Sequence, residues 1–333
     1  MSAFNVSDIS QYRTHLMGVA TLLVLFGHSA GNGVVMPGWM ESLCGLASVG
    51  VDIFLFVSGL GLWYSLRSVQ ITRRGGVIPW YKRRYKRILV PYLLICGFSS
   101  ILAVTRGDKA LLTAVLDLST INYWLNHQGA WYVAMLFPLY AITPLHDLVC
   151  SKIQKTVTYN LVLVTVVVGL SCVHIETQSV VLSDFMENVR HVVVHLPAFF
   201  LGFMLAPMAK GGKTLGWHWL FVSPVLIVIV MKLTGIGYWP GFLFLPVVGL
   251  LCLTFHCGGR AYLGTAEFFG RISLESYLFN GAVGSWIIAY LPAVYHSSLN
   301  QGCYLHYALV CVIGTVLSYM VHRLCQRLFF RKT

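Results

Sequence analysis

Long apolar runs, broken by short charged segments, pattern the chain. A bilayer core about 30 Å thick takes roughly 20 apolar residues per crossing helix. Segments 15–35, 48–66, 85–105, 131–149, 158–175, 191–208, 216–234, 240–256, 272–291 and 303–325 meet or approach that length and predict ten helices. The sixth to eighth are short or interrupted by Pro and Gly. The longest polar stretches, 106–130 and 176–190, are too short to fold alone, and no internal repeat or low-complexity tract appears. The expected fold class is an all-α integral membrane protein of about ten transmembrane helices. Residues 1–333 would form a single transmembrane domain.

Composition strengthens this reading. Of the residues, 57% are hydrophobic and 10% charged, whereas a soluble domain carries about 25% charged residues. The mean hydropathy is +0.74. Charge position then gives sidedness. With both termini cytosolic, every one of the 23 Lys and Arg except Arg106, Lys109, Arg190 and Lys232 falls on the cytosolic side, as the positive-inside rule asks. One missed span would exchange the sides of all later loops and spoil the asymmetry. The net charge of +12 therefore reads as topology, and nucleic acid is not an expected partner. The nine cysteines lie mostly inside apolar runs, as at Cys96, Cys172, Cys252 and Cys311. They read as small core residues rather than as a disulfide framework. No basic region, short apolar core and cleavage site open the chain, so no cleavable signal peptide is expected. A chain of this kind is an enzyme acting on or across the membrane, or a transporter.

Residues 13–87 concentrate the groups that are costly in a bilayer. His28 lies about thirteen residues into the first apolar helix, roughly 20 Å of travel. That is past the midplane, toward the outer leaflet. Asp52 enters the next helix from outside and shares that depth. A short loop joins the two helices, so a contact between His28 and Asp52 is geometrically open. The carboxylate would fix the imidazole tautomer and make His28 a stronger general base toward a hydroxyl. The bland alternative has His28 bonded to a carbonyl and Asp52 lining a wet crevice. Ionisable residues inside the membrane favour the functional reading.

The run Lys82-Arg83-Arg84-Tyr85-Lys86-Arg87 sits at the cytosolic mouth of the third helix. Any such run can anchor topology and contact the headgroups of membrane lipids. If the helix already starts here, Arg83 and Arg87, four apart, share one face. With Arg84 between them, they suit a polyphosphate such as that of a CoA thioester. Tyr81, Tyr85 and Tyr92 could add aromatic surfaces. His191 and His195 have the spacing of a zinc pair, but no Glu stands between them and no further ligand follows. They read as an interfacial pair, and no metal is expected. The chain has no P-loop, no GxGxxG beside a strand and no GxSxG. Ser58-Gly59 reads as close helix packing, not a nucleophile elbow.

Five pieces, in order, resemble the landmarks of the acyltransferase-3 family of bacterial integral membrane acyltransferases. They are Leu25-Phe-Gly-His28-Ser, Val49-Gly-Val-Asp-Ile-Phe-Leu-Phe-Val-Ser-Gly59, Arg83-x-x-x-Arg87-Ile-Leu-Val-Pro-Tyr, Ala130-Trp-Tyr132 and Ile272-Ser-Leu-Glu-Ser-Tyr-Leu278. The resemblance covers essentially the whole chain. It implies a ten-helix core in the cytoplasmic (inner) membrane. The donor would be acetyl-CoA or another acyl-CoA, approached from the cytosol. The acceptor would be a hydroxyl of a saccharide or lipid-linked saccharide. His28 would be the catalytic histidine, and Arg83 and Arg87 the donor-associated pair. Two positions depart from the family's pattern. An arginine often stands eleven residues before the histidine; here that position is Met17, and Arg13, one turn away, is the candidate substitute. A histidine often closes the stretch after Tyr277, where this chain has Asn280. Glu275 and Tyr277 fall in the last landmark. Glu275 either serves the substrate or pairs with Arg271, one turn back. Trp131 and Tyr132 serve the substrate or belong to the aromatic belt.

The sequence reading is thus a membrane-bound O-acyltransferase, with His28 as base and Asp52 orienting it. The rivals are a transporter or flippase for a polar lipid or sugar, and a catalytically inactive family member. A transporter built from inverted repeats should show broken helices at matching positions in two halves, and no such pairing is visible.

Overall fold

The computed structural model describes residues 3–68, 76–173, 178–234 and 243–330. Arg73, Arg74, Arg331 and Lys332 of the charge pattern, and the first residues of the predicted 240–256 span, lie outside the described residues.

A two-residue strand β1 (Phe4–Asn5) and a short helix α1 (Ser7–Gln11) precede α2 (Arg13–Gly31). The chain returns through α3 (Gly38–Leu46) and α4 (Val49–Ser68), then rises through α5 (Ile78–Tyr92), a π-helical turn (Leu93–Gly97) and α6 (Phe98–Thr105). Two short helices, α7 (Leu111–Leu118) and α8 (Ile121–Asn126), lead to α9 (Trp131–Lys152) and α10 (Thr156–Ser171). Next come α11 (Val180–Val193), α12 (Leu196–Lys210), the strand β2 (Thr214–Leu215) that pairs with β1, α13 (Trp217–Thr234) and α14 (Phe244–Cys257). The chain closes with α15 (Arg260–Arg271), α16 (Ser273–Tyr290), α17 (Pro292–Tyr295) and α18 (Tyr304–Leu328).

Each of the ten predicted segments contains a helix. Among the described residues, six helical stretches are long and apolar enough to cross a membrane: Arg13–Gly31, Gly38–Ser68, Ile78–Thr105, Trp131–Lys152, Val180–Lys210 and Ser298–Leu328. α10, α13 and α14 are apolar but shorter. Several predicted loops are helical instead, among them those of α3, α11 and α15. α11 starts at Val180 because the Ser179 hydroxyl accepts from the Leu182 N–H at 3.4 Å and caps the helix. The polar stretch 106–130 also folds, into α7 and α8.

α4 is buried on nearly every side, as its uniformly apolar sequence requires. It packs against α12 and α2. A side chain at Gly59 would strike the Phe199 carbonyl, and one at Gly202 the Phe56 carbonyl. Two glycines facing each other's helix thus allow backbone contact between α4 and α12. By contrast, α10, α13 and α18 carry rows of exposed Leu and Val on their outer faces.

Long-range contacts define two ends of the bundle. At one, Val6 N–H donates to Lys213 O (3.0 Å), His256 Nε2 to Asp8 Oδ2 (2.9 Å), and Arg67 pairs with Asp147. The Lys86 ammonium lies 6.0 Å from the Phe329 ring centroid there. We call this the basic end, and it gathers the first residues and the close of α18. At the far end, Val35 N–H donates to Gly302 O (3.0 Å) and Tyr92 OH to Asp117 O (2.9 Å). Glu275 does not pair with Arg271. Arg271 bonds Glu267 at 2.5 Å and holds that carboxyl below its usual range, while Glu275 accepts from His322 Nδ1 at 3.0 Å.

Candidate active site

His28 stands in the last turn of α2, half-buried, at the far end of the helix. Its Nδ1 lies 2.8 Å from Asn280 Oδ1 on α16. The rest of the network fixes where the proton sits. The Leu25 carbonyl can only accept, so Tyr307 OH donates to it. The Tyr307 oxygen is then left to accept, and Asn280 turns its amide N–H toward it at 3.4 Å. That leaves Asn280 Oδ1 as acceptor for His28, so Nδ1 carries the hydrogen. Nε2 keeps its lone pair, the state a general base needs.

Asp52 does not reach His28. It is 1% exposed on α4, and its Oδ1 accepts from His195 Nδ1 at 2.8 Å. The orienting role expected of Asp52 falls to the uncharged Asn280. The short loop between the helices does not bring the two side chains together, because Asp52 turns to His195, the residue that leads into α12. His195, 3% exposed, and His191 both lie against the Trp131 ring, at centroid distances of 5.4 and 4.6 Å. The pair expected at the interface supports Trp131, with His195 buried and His191 half-buried.

A cavity of about 210 Å³ opens between α2, α4, α5, α9 and α16. Arg13, Arg84 and Arg87 line its basic part, Tyr132, Tyr140 and Ser58 its flank, and His28, Trp131 and Tyr277 its far wall. No carboxylate of the described residues pairs with these three arginines. Arg84 Nε donates to Ser65 Oγ at 3.0 Å, and Trp80 Nε1 shares that hydroxyl. Arg13 supplies a guanidinium to the cavity that Met17 also lines. Arg83 is exposed and lines no part of it. Helix geometry explains the exchange. At about 100° per residue, Arg84, Arg87 and Ile88 point into one sector of α5, and Arg83 lies roughly 90° from its centre.

A second, polar cavity of about 750 Å³ occupies the far end. Ser99, Ser100, Asp108, Lys109, Asp117 and Ser285 line it, together with Tyr92 and Cys96. Lys109 Nζ pairs with Asp117 Oδ2 at 2.5 Å. The walls of the two cavities have His28, Trp131 and Tyr277 in common. Glu275 and Asp52 line neither.

Sequence reasoning missed the pairing of Asn280 with His28 and of His195 with Asp52. Asn280 was visible only as a departure from a motif. His195 was visible only as half of a histidine pair at the start of an apolar helix, and its partner stands 143 residues away. A family model described as an acyltransferase domain matches residues 15–323. No curated protein and no solved structure matches the chain.

Proposed function

We propose, for a chain that belongs to the acyltransferase-3 family, that this multi-pass membrane protein moves an acyl group, acetyl in the simplest case, from acyl-CoA to a saccharide hydroxyl. One observation carries the reading: His28, with Nε2 free to accept a proton, stands in the common wall of a basic cavity and a polar one. Three guanidiniums without a carboxylate partner among the described residues suit the phosphates of a CoA thioester, and guanidinium–phosphate pairing is directional as well as strong. The basic end would then face the cytosol, where acyl-CoA resides and where the positive-inside rule puts such a cluster. The membrane would be the cytoplasmic one.

The donor's pantetheine arm runs along the narrow cavity between α2, α4 and α9, and the thioester carbonyl comes up beside His28. The acceptor, a saccharide or lipid-linked saccharide, occupies the wide polar cavity and presents a hydroxyl. His28 Nε2 takes the hydroxyl proton as the oxygen attacks the carbonyl carbon. The new C–O bond forms, the C–S bond breaks, and the imidazolium returns the proton to the departing thiolate. Because His28 touches both cavities, donor and acceptor can meet directly and no acyl-enzyme is needed. Arg13, in the same cavity as Arg84 and Arg87, supplies the cation that Met17 does not.

The test is transfer of labelled acetyl from acetyl-CoA to glycan in membranes holding equal amounts of wild type or His28→Ala. Label in the wild type, reduced about 10²- to 10⁴-fold in the variant, is the expected result. Equal label in both would remove His28 from the chemistry. No label with either, over a broad acceptor panel, would favour a transporter.

A further inference from the structure

We propose that Trp131 and Tyr277 form an aromatic partition that selects what receives the acyl group, a bound hydroxyl instead of water. The inference rests on the acyl-transfer reading of His28 but makes a separate claim. Acyl transfer across two cavities has a built-in competitor. The far cavity is wide, and hydroxyls, carboxylates and an ammonium stand among its apolar lining, so water can enter it. Water can attack the same carbonyl: a C–O bond forms to water, the C–S bond breaks, and a carboxylic acid and CoA thiol result. His28 would serve that reaction as well as transfer. Something must keep bulk water from the thioester until the acceptor is in place.

The geometry points to two rings. Trp131 and Tyr277 come from different helices, α9 and α16, and with His28 they complete the wall that the cavities have in common. Each ring is braced from behind. Tyr277 OH accepts from the Tyr132 backbone N–H at 3.3 Å, and the Tyr132 ring stands edge-on to it at 5.6 Å. Trp131 lies against His191 and His195, and His195 is tied to the buried Asp52. Rings held this way close the passage to bulk water with apolar area and leave the polar edge of His28 as the opening through which a hydroxyl bound in the far cavity reaches the carbonyl. Shortening either ring should join the two cavities into one wet channel. The three arginines at its basic mouth would draw anions into such a channel.

The experiment uses the full chain purified into lipid vesicles, with two readouts. The first is acetyl-CoA hydrolysis without acceptor, followed as free thiol. The second is chloride entry, followed with an enclosed halide-quenched dye. Wild-type protein should hydrolyse little and hold chloride out. Tyr277→Ala and Trp131→Ala should each raise acceptor-free hydrolysis about ten-fold and admit chloride. Tyr277→Phe keeps the ring and loses only the hydroxyl, so it should leak several-fold less than Tyr277→Ala on both readouts. Where alanine prevents folding, Tyr277→Val and Trp131→Leu make smaller cuts in the same wall. Hydrolysis and chloride entry at wild-type levels in the shortened variants would overturn the partition, as would a Tyr277→Phe protein as leaky as Tyr277→Ala. If His28→Ala leaves thiol release unchanged while the chloride pattern holds, the reading of His28 fails and the partition stands.

Discussion

A proton on the wrong nitrogen would leave His28 useless as a base, and Asn280 prevents this with one hydrogen bond. Asn280→Ala should therefore lower kcat about 10- to 100-fold with little change in the KM for acyl-CoA. Asn280→Asp keeps an acceptor facing Nδ1 and should recover most of that loss. Steady-state kinetics on the two variants checks this, and equal loss in both would show that the bond merely packs α16 against α2. Asp52 belongs to a different account. One of its oxygens bonds His195, and the other is buried without a hydrogen-bond partner among the described residues. His195→Ala would leave that carboxylate stranded, at a cost of about 3–5 kcal/mol. The expected outcome is a large fall in thermal stability in detergent. Asp52→Asn combined with His195→Ala should cost less than the sum of the two single changes.

At the scale of the helix, α5 shows how a correct spacing can select the wrong face. Arg83 and Arg87 do lie near each other along the helix, but the sector that faces the cavity is that of Arg84, Arg87 and Ile88. Arg84→Ala and Arg87→Ala should each raise the KM for acyl-CoA about ten-fold, the worth of a lost charge-assisted hydrogen bond. Arg83→Ala, on the exposed side, should leave it within about two-fold. A larger effect at Arg83 than at Arg84 would mean that the donor binds outside the cavity. The meeting of α4 and α12 depends on size alone. Gly202→Val should push the helices apart and lower folded yield, because the added carbons meet the Phe56 backbone rather than a movable side chain.

Over the whole molecule, two cavities meet at one histidine; the helices and that histidine were legible in the sequence, and the cavities were not. Apolar run length is a local property, so the helical class and the approximate place of the long apolar helices followed from it, while α7, α8 and α11 in the polar stretches did not. The charge pattern put the basic clusters on one side, and contacts between distant segments bring Lys86 and Lys213 to the end that holds the first residues and the close of α18. His28 was marked because an imidazole deep in an apolar helix is costly without a purpose. Pairing is not local. The partner of His28 is 252 residues away and the partner of Asp52 is 143 residues away. The rotation of each helix about its axis depends on which neighbour it packs against. Only the tertiary structure could therefore exchange Asp52 for Asn280, bring Arg84 and Arg13 inward in place of Arg83, and give Glu275 to His322. Helix periodicity says which residues share a face, and packing decides what that face meets.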